Sequence, residues 1–208
     1  MYSIQLVKTM LSAIGQQFRQ PTGLLGRVIS LLMKKGNMPA YEVLIEQMNI
    51  QQGDQVFEIG YGPGKGIEAI QEAVNCTIEG IDFSPLMHKE ANARNKNLVQ
   101  AGKLDLYLGD FLRYELMKNT YDKIFCINVV YFWDDLIPPF RKIQQGLKNG
   151  GEFHFYMSSP EMLNKLKFTK DHIFCKRTLD EVLQKAKDAG FSKITHDSSN
   201  GCFVKCTK

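Results

Sequence analysis

Residues 56–66 read Val56-Phe57-Glu58-Ile59-Gly60-Tyr61-Gly62-Pro63-Gly64-Lys65-Gly66. An apolar run that contains one carboxylate is followed here by glycines at every second position. This pattern predicts a buried strand that breaks into a tight glycine loop, with a helix behind the loop. Glycine is needed there because it adopts φ > 0 at little cost and lets a ligand approach the main chain closely. We interpret the rest of the chain as the frame around this loop.

After the loop, short apolar runs alternate with segments of helical periodicity. The predicted strands lie at 56–59, 76–81, 104–108, 122–127 and 152–157, followed by a final pair at 192–195 and 202–205. This alternation predicts an α/β fold with a seven-stranded, mostly parallel sheet and helices on both faces. Because the pattern ends in a hairpin, we expect the last strand to be antiparallel to its neighbours.

The first 48 residues show helical spacing and no strand pattern. Helices are predicted at 4–18, at 24–35 and from Pro39 to about residue 48, with breaks at 21–23 and 36–37. We therefore divide the chain into an N-terminal helical extension, residues 1–48, and a main domain, residues 49–208. The extension is expected to act as a cover or lid over the glycine loop, and its helices could also make peripheral contact with a membrane.

The composition is that of an ordinary globular protein, with 208 residues of which 44% are hydrophobic and 23% charged. Five scattered cysteines, an odd number, favour a reducing compartment over a disulfide framework, so we expect a cytoplasmic protein. The cysteine spacing matches no zinc site, and we expect no metal. No apolar run reaches the roughly 18–20 residues of a membrane span. The net charge of +4 is low for an enzyme that acts on nucleic acid.

Four successive strands end in residues that can face a ligand: Gly60, Asp82, Asp110 and Asn128. In an open α/β sheet the carboxyl ends of the strands meet at one edge, where ligands bind. A phosphate-binding loop is excluded because the required spacing of Gly-x4-Gly-Lys-Ser/Thr is absent. An NAD-linked oxidoreductase is disfavoured because Lys65 stands where a third glycine is needed. Glu58 would also repel a pyrophosphate, whereas it could face an ammonium group.

Five segments resemble, in order and at workable spacing, the motifs of the class I S-adenosylmethionine-dependent methyltransferases. They are 58–64, 80–84, 108–111, 121–128 and 147–151. The resemblance extends from about residue 40 to the end of the chain. It implies a Rossmann-like fold, S-adenosyl-L-methionine as cofactor, and in-line transfer of a methyl group from the sulfonium to a nucleophile.

The resemblance also implies which residues hold the methionine half of that cofactor. The main chain of Gly60, Tyr61, Gly62 and Gly64 would pack against it. Glu58 would orient this loop and balance the cofactor's ammonium group, directly or through water.

For the nucleoside half, the resemblance implies roles for residues at the ends of the next strands. Asp82 would accept hydrogen bonds from both ribose hydroxyls, and Phe83 would pack on the adenine. Asp110 would accept from the adenine amino group, with the Phe111 amide near a ring nitrogen. The Asn128 backbone would lie beside the methionine moiety.

The sequence is less specific about which residues contact the molecule that accepts the methyl group. Tyr131, Trp133 and His154 are candidates for substrate contact, and His172 lies in a connection that could serve as a lid. No residue stands out as a catalytic base. We expect a methyltransferase that acts on a small molecule, a lipid-like one included. Two alternatives stay open: an RNA or protein methyltransferase, and a non-catalytic cofactor-binding protein of the same fold.

Overall fold

The computed structural model describes residues 2–169, 173–198 and 201–208, apart from the side chains at 2–4, 8 and 32–35. Its strands form one seven-stranded sheet in the order β3-β2-β1-β4-β5-β7-β6. They are β1 Gln55–Ile59, β2 Thr77–Asp82, β3 Leu104–Leu108, β4 Tyr121–Ile127, β5 Leu147–Met157, β6 Lys193–Asp197 and β7 Cys202–Thr207. The first five strands are parallel, and β7 runs antiparallel to both β5 and β6. The predicted fold class is confirmed.

Eight α-helices are described. They are α1 Tyr2–Arg19, α2 Gly23–Met48, α3 Lys65–Ala73, α4 Pro85–Arg94, α5 Lys96–Gln100, α6 Ile137–Gly146, α7 Pro160–Lys165 and α8 Leu179–Asp188. Two short 3-10 turns, Val130–Phe132 and Lys167–Thr169, add to them. None of these described helices combines the length and the apolar character needed to cross a membrane.

Side chains that alternate along each strand build two core layers, one on each face of the sheet. In β1, Phe57 packs with Phe140 of α6 in one layer. Val56 packs with Leu44 of α2 and Ile67 of α3 in the other. Helices therefore cover both faces, as the near-continuous apolar strands require.

The chain moves outward from β1 to β2 and β3 on one side, and returns to β4 on the other side of β1. The direction of winding thus reverses between β1 and β4. In open parallel sheets this reversal opens a crevice at the carboxyl ends of the strands. The loops after β1, β2, β3 and β4 all lie at this edge.

The N-terminal extension differs from its prediction, since the break expected at 36–37 is absent and α2 is continuous. Pro39 lies inside α2, where a proline removes a backbone hydrogen bond and costs about 3 kcal/mol. The second half of α2 buries Leu44 and Met48 completely against the sheet. This apolar burial offsets the cost of the proline, which local sequence patterns cannot reveal.

Two smaller boundaries also differ. The sequence Ser84-Pro85 predicts the start of one helix that runs to about residue 101. The structure divides this segment at Asn95, whose side-chain amide donates to the carbonyls of Gly64 and Ala91. The sequence Asn149-Gly150-Gly151 predicts the end of a helix, but these residues belong to β5. Gly150 adopts a φ of 78° there, which lets the strand bend without breaking.

Candidate functional site

A cleft opens at the carboxyl ends of the strands, where the winding of the sheet reverses. It encloses about 1240 Å³ of empty space, part of which is open to solvent. Its walls come from the loops after β1, β2, β3 and β4 and from α1 and α2. The predicted site residues that line it are Gly60, Tyr61, Gly62, Asp82, Phe83, Asp110, Phe111, Asn128 and Trp133. The remaining four, Glu58, Gly64, Tyr131 and His154, do not line it.

The glycines of the loop after β1 have different surroundings, although all three have positive φ. Gly62 lines the cleft, and a Cβ added to it would meet no atom within 4 Å. Gly64 lies behind the loop, where an added Cβ would come within 2.5 Å of the Asn95 amide and 3.0 Å of the Ala91 Cβ. Gly62 therefore leaves space for a ligand, whereas Gly64 allows α4 to pack against the loop.

Glu58 is a buried carboxylate behind the cleft wall, with no exposed surface. Its Oε1 accepts a 2.6 Å hydrogen bond from the hydroxyl of Tyr41, a residue that does line the cleft, while Oε2 has no hydrogen-bond partner. Burial, with a contribution from nearby Asp82, raises the Glu58 pKa to about 8. A buried carboxylate with an unpaired oxygen is stabilised by a nearby cation.

Asp82 ends β2 and is almost fully buried. Its Oδ2 accepts from the Gly62 amide at 2.9 Å and its Oδ1 from the Ser84 amide at 2.8 Å. Burial raises its pKa to about 6, while the two amide hydrogen bonds oppose the shift. A carboxylate has about four acceptor sites, so each oxygen can still accept a hydroxyl from the cleft.

Beyond Asp82, the cleft wall is formed by Phe83 and by the loop after β3. Phe83 keeps about a third of its surface exposed, and the exposed Asp110 caps its own loop through a 2.9 Å bond from the Leu112 amide to Oδ1. Phe111 is buried. The Lys142 ammonium donates to the carbonyls of Phe111 and Leu112 at 2.9 and 2.7 Å and so fixes this loop.

Asn128 follows β4 with a φ of 58°, a left-handed conformation that asparagine tolerates better than most residues. Its backbone amide donates to the Tyr156 carbonyl at 2.9 Å. Its side chain donates to Asn37 of α2 at 3.0 Å and accepts from Ser158 at 3.3 Å. This side chain therefore connects the strand edge to the N-terminal extension.

The wall next to Asn128 is aromatic. Trp133 is buried and packs 5.9 Å from the Phe111 ring, measured between centroids, and Phe132 also faces the cleft. Tyr131 points away from it into a separate cluster with Phe174 and Leu163.

His154 lies within β5, fully buried, with Nε2 3.1 Å from Glu152. Burial lowers its pKa to about 4, so it is neutral near pH 7. The structure does not bring it to the cleft. His172 lies outside the described residues.

The sequence predicted a helical cover over the loop but not which residues of the first two helices line the site. The cleft wall includes Phe18, Arg19, Ser30, Asn37, Met38 and Tyr41. Helical periodicity predicted the helices but not which of their residues point inward. The Phe18 ring is anchored by stacking on Phe168 at 4.3 Å.

The cleft can accept hydroxyl and amino groups at its two carboxylates, and it offers aromatic and apolar surface near Asn128. No cluster of three or more potential metal ligands occurs among the described residues. The charges on the wall are mixed, since Arg19 and Lys65 stand beside Asp82 and Asp110. An amphiphilic organic molecule fits this combination.

Comparison with known proteins adds an independent observation. A family model described as "Methyltransferase domain" matches residues 56–151, which span β1 to the start of β5. The uncharacterized methyltransferase YdaC of Bacillus subtilis is 27% identical over 135 residues, covering 64% of this chain and 72% of that protein. The sterol 24-C-methyltransferase ERG6 of Saccharomyces cerevisiae is 27% identical over 113 residues, covering 54% of this chain and 30% of that protein.

Among solved structures, the chain is similar to phosphoethanolamine N-methyltransferase 2 of Haemonchus contortus in complex with S-adenosyl-L-methionine. The TM-score is 0.68 at 19% identity, over 78% of this chain and 39% of that one. A second structure of that protein contains phosphomonomethylethanolamine and S-adenosylhomocysteine, with a TM-score of 0.67 at 20% identity, over 77% of this chain and 38% of that one. The chain thus spans 30% of the length of the sterol 24-C-methyltransferase and 39% of the length of the phosphoethanolamine N-methyltransferase.

Proposed function

We propose that this chain, whose residues 56–151 match a methyltransferase-domain model, is a class I S-adenosylmethionine-dependent methyltransferase. We further propose that it transfers the methyl group of this cofactor to a small-molecule acceptor of amphiphilic, lipid-like character. The observation that carries the proposal is the set of groups gathered at one sheet edge. An open glycine loop, the Asp82 carboxylate and an aromatic wall share one cleft, with the half-satisfied Glu58 carboxylate behind it.

The methionine half of the cofactor is proposed to bind along the loop after β1. Gly62 leaves the space that this half needs, and Gly60 and Tyr61 contribute main chain to the same wall. The ammonium group would be balanced by Glu58, acting through the Tyr41 hydroxyl or through water, because Glu58 itself lies behind the wall. The unpaired Oε2 of Glu58 supports a cation at this end of the cleft.

The nucleoside half is proposed to bind between the ends of β2 and β3. The two free acceptor positions of Asp82 suit a pair of ribose hydroxyls. Phe83 is exposed enough to pack on an adenine ring, and Asp110 keeps one oxygen for its amino group. Phe111 is held in place by Lys142 and completes this part of the wall.

The acceptor is proposed to bind on the other side of the sulfur position, between the aromatic wall and the N-terminal helices. Phe18, Met38, Phe132 and Trp133 give this side a largely apolar surface, with Arg19 near them. Such a surface suits an apolar body with a polar or anionic head. Residues 1–48 act as the cover of this half of the cleft, and a peripheral contact of the same residues with a membrane would suit a lipid-like acceptor.

When bound, S-adenosylmethionine supplies a methyl group on a positively charged sulfur. The contribution of this chain is alignment and exclusion of water. Trp133 and Phe132 limit where an acceptor can lie, and the Asn37–Asn128 hydrogen bond fixes the helical cover relative to the strand edge. All five cysteines are free thiols, which supports the cytoplasmic location that we propose.

The proposal can be tested by supplying methyl-labelled S-adenosylmethionine to the protein together with a cell extract separated into small-molecule, lipid, RNA and protein fractions. We expect label in the small-molecule or lipid fraction, and its loss with Asp82→Ala. Label confined to RNA or protein would contradict the proposed acceptor class. Binding of S-adenosylhomocysteine without transfer to any fraction would instead favour a non-catalytic cofactor-binding protein.

A further inference from the structure

The outer faces of the N-terminal helices expose an unusual amount of apolar surface. Seven large apolar side chains between residues 6 and 31 are at least half exposed: Leu6, Val7, Met10, Leu24, Leu25, Val28 and Leu31. On α2, Leu24, Val28 and Leu31 follow the i, i+4, i+7 spacing of a single helical stripe. On α1, Leu6 and Met10 are one turn apart on the same side. Among the described residues, no element covers these stripes.

The opposite sides of both helices are already used by the domain. Gly15 of α1 packs against the Phe168 carbonyl, and Phe18 stacks on the Phe168 ring. Ile29 and Ser30 of α2 are buried, and the Ser30 hydroxyl donates to Glu90 of α4 at 3.3 Å. The helices are therefore fixed to the domain by one face while the apolar stripes point outward.

The charge of this part of the chain is one-sided. Residues 1–41 contain five basic residues and no acidic one, since the first acid is Glu42. The remaining 167 residues hold the other 21 basic residues and all 22 acidic ones, a net charge of −1. Arg27 is exposed beside the α2 stripe, three residues after Leu24 and four before Leu31. A long basic side chain in this position can rest its stem on apolar surface and keep its charge in water.

We propose that the outer face of α1 and α2 is a docking surface for an anionic lipid bilayer. Apolar stripes with Arg27 beside them, on a segment whose sequence carries no acidic residue before Glu42, match the boundary between acyl chains and anionic head groups. A second copy of the chain suits this face less well, because two surfaces of like charge would have to meet. The same two helices supply Arg19, Asn37 and Tyr41 to the cleft, so docking brings the cleft to the membrane surface. The inference deepens the peripheral membrane contact of the proposed function by naming the surface and the lipid class, and vesicle binding tests it without turnover.

Sedimentation with vesicles tests this surface directly, using the full chain and two vesicle compositions: phosphatidylcholine alone and phosphatidylcholine with phosphatidylserine. We expect binding to the anionic vesicles, at least about tenfold weaker binding to the neutral ones, and weakening by salt. The double variant Leu24→Glu/Val28→Glu should bind the anionic vesicles at least about tenfold less well. Arg27→Gln should weaken binding to the anionic vesicles about fivefold.

Met117→Glu is the control, because Met117 is also at least half exposed but lies in the loop before β4, outside the N-terminal helices. It should bind vesicles like the wild type, and all variants should keep the wild-type circular dichroism spectrum and melting temperature. The proposal is overturned if the wild type does not bind anionic vesicles, if the double variant binds equally well, or if the control loses as much. A wild-type dimer in light scattering that the double variant dissociates, without vesicle binding, would assign the face to a second copy and also overturn it. Titration with S-adenosylhomocysteine reports separately on the proposed function.

Discussion

At the scale of single residues, Asp82 combines two tasks. Its carboxylate holds the amides of Gly62 and Ser84 and still presents free acceptor positions to the cleft. Replacing it by alanine removes a charged acceptor from any bound ribose. We predict that Asp82→Ala weakens the binding of S-adenosylhomocysteine about tenfold or more in isothermal titration calorimetry.

The matched control for this prediction is Asp105→Ala, which removes an exposed carboxylate of β3 that lies outside the cleft wall. It should leave the affinity unchanged. Unchanged affinity in Asp82→Ala would limit Asp82 to its two backbone contacts and would remove it from the cofactor site.

Glu58 offers a test through pH. Its pKa is about 8 in the folded protein against an ordinary value of 4.5, so between these values the folded chain holds a proton that the unfolded chain lacks. Stability must therefore fall as the pH rises through this window, by at most about 1.4 kcal/mol per pH unit. Above pH 7 two other shifted groups interfere little, since Asp82 has a pKa of about 6 and His154, with a pKa of about 4 against an ordinary value of 6.5, is then largely neutral in both states.

We predict that chemical denaturation of the ligand-free protein shows this fall between pH 7 and 8, and that Glu58→Gln removes it. Glu152→Gln is the control: its pKa is about 2, so Glu152 is ionised in both states across the window and the slope should persist. A slope that is the same in Glu58→Gln and the wild type would show that another group is responsible.

Some residue roles could be predicted from the sequence and others could not, for a physical reason. Asp82 and Asn128 are placed by the strand ends alone, because parallel strands share one carboxyl edge. Tyr131 and His154 could not be placed, because the direction of a side chain in a turn or a two-sided buried strand depends on packing. The Tyr131 side chain packs in an aromatic cluster away from the cleft, and His154 contacts Glu152.

At the scale of elements, two glycines of the loop between β1 and α3 have similar backbone conformations but different surroundings. An alanine at Gly64 would combine a left-handed backbone with a collision against Asn95 and Ala91, whereas an alanine at Gly62 would add only the backbone strain. We predict that Gly64→Ala lowers the free energy of unfolding by about 2–4 kcal/mol and Gly62→Ala by about 1–2 kcal/mol.

For ligand affinity we expect the larger effect in Gly62→Ala, the variant with the smaller loss of stability. The added methyl of Gly62→Ala points into the cleft space, so it should weaken the binding of S-adenosylhomocysteine more than Gly64→Ala does, among molecules that remain folded. Equal stabilities for the two variants, measured by urea denaturation, would contradict the different surroundings of the two glycines.

Apart from the start of β5, the bounds of the strands were predictable to within two residues, because buried strands and their glycine or acidic ends leave strong local signals. The continuity of α2 through Pro39 was not predictable from local signals. It depends on Leu44 and Met48 reaching the sheet, which is a tertiary contact.

At the scale of the whole molecule, the sheet provides the proposed cofactor side of the cleft and the N-terminal extension covers the acceptor side. Removing residues 1–19 deletes α1 and with it Phe18 and Arg19 from the wall, while Gln20 with its bond to the Phe83 carbonyl, α2, and the hydrogen bond from Asn128 to α2 remain. We predict that this deletion changes the affinity for S-adenosylhomocysteine by no more than about twofold, because the strand-end residues are unaffected. Transfer of label to the acceptor fraction should fall at least about tenfold. Full transfer by a deletion protein that still melts cooperatively would rule out the covering role.

The account rests on the claim that the strand-end cleft is the S-adenosylmethionine site. The most direct measurement is a crystal structure of the full chain with S-adenosylhomocysteine. We expect the ribose hydroxyls within about 2.6–3.0 Å of the Asp82 carboxylate, the amino-acid part along Gly60–Gly62, and the sulfur facing the Trp133 side. A ligand bound elsewhere, or one in this cleft that leaves the Asp82 carboxylate without a ribose contact, would contradict the account.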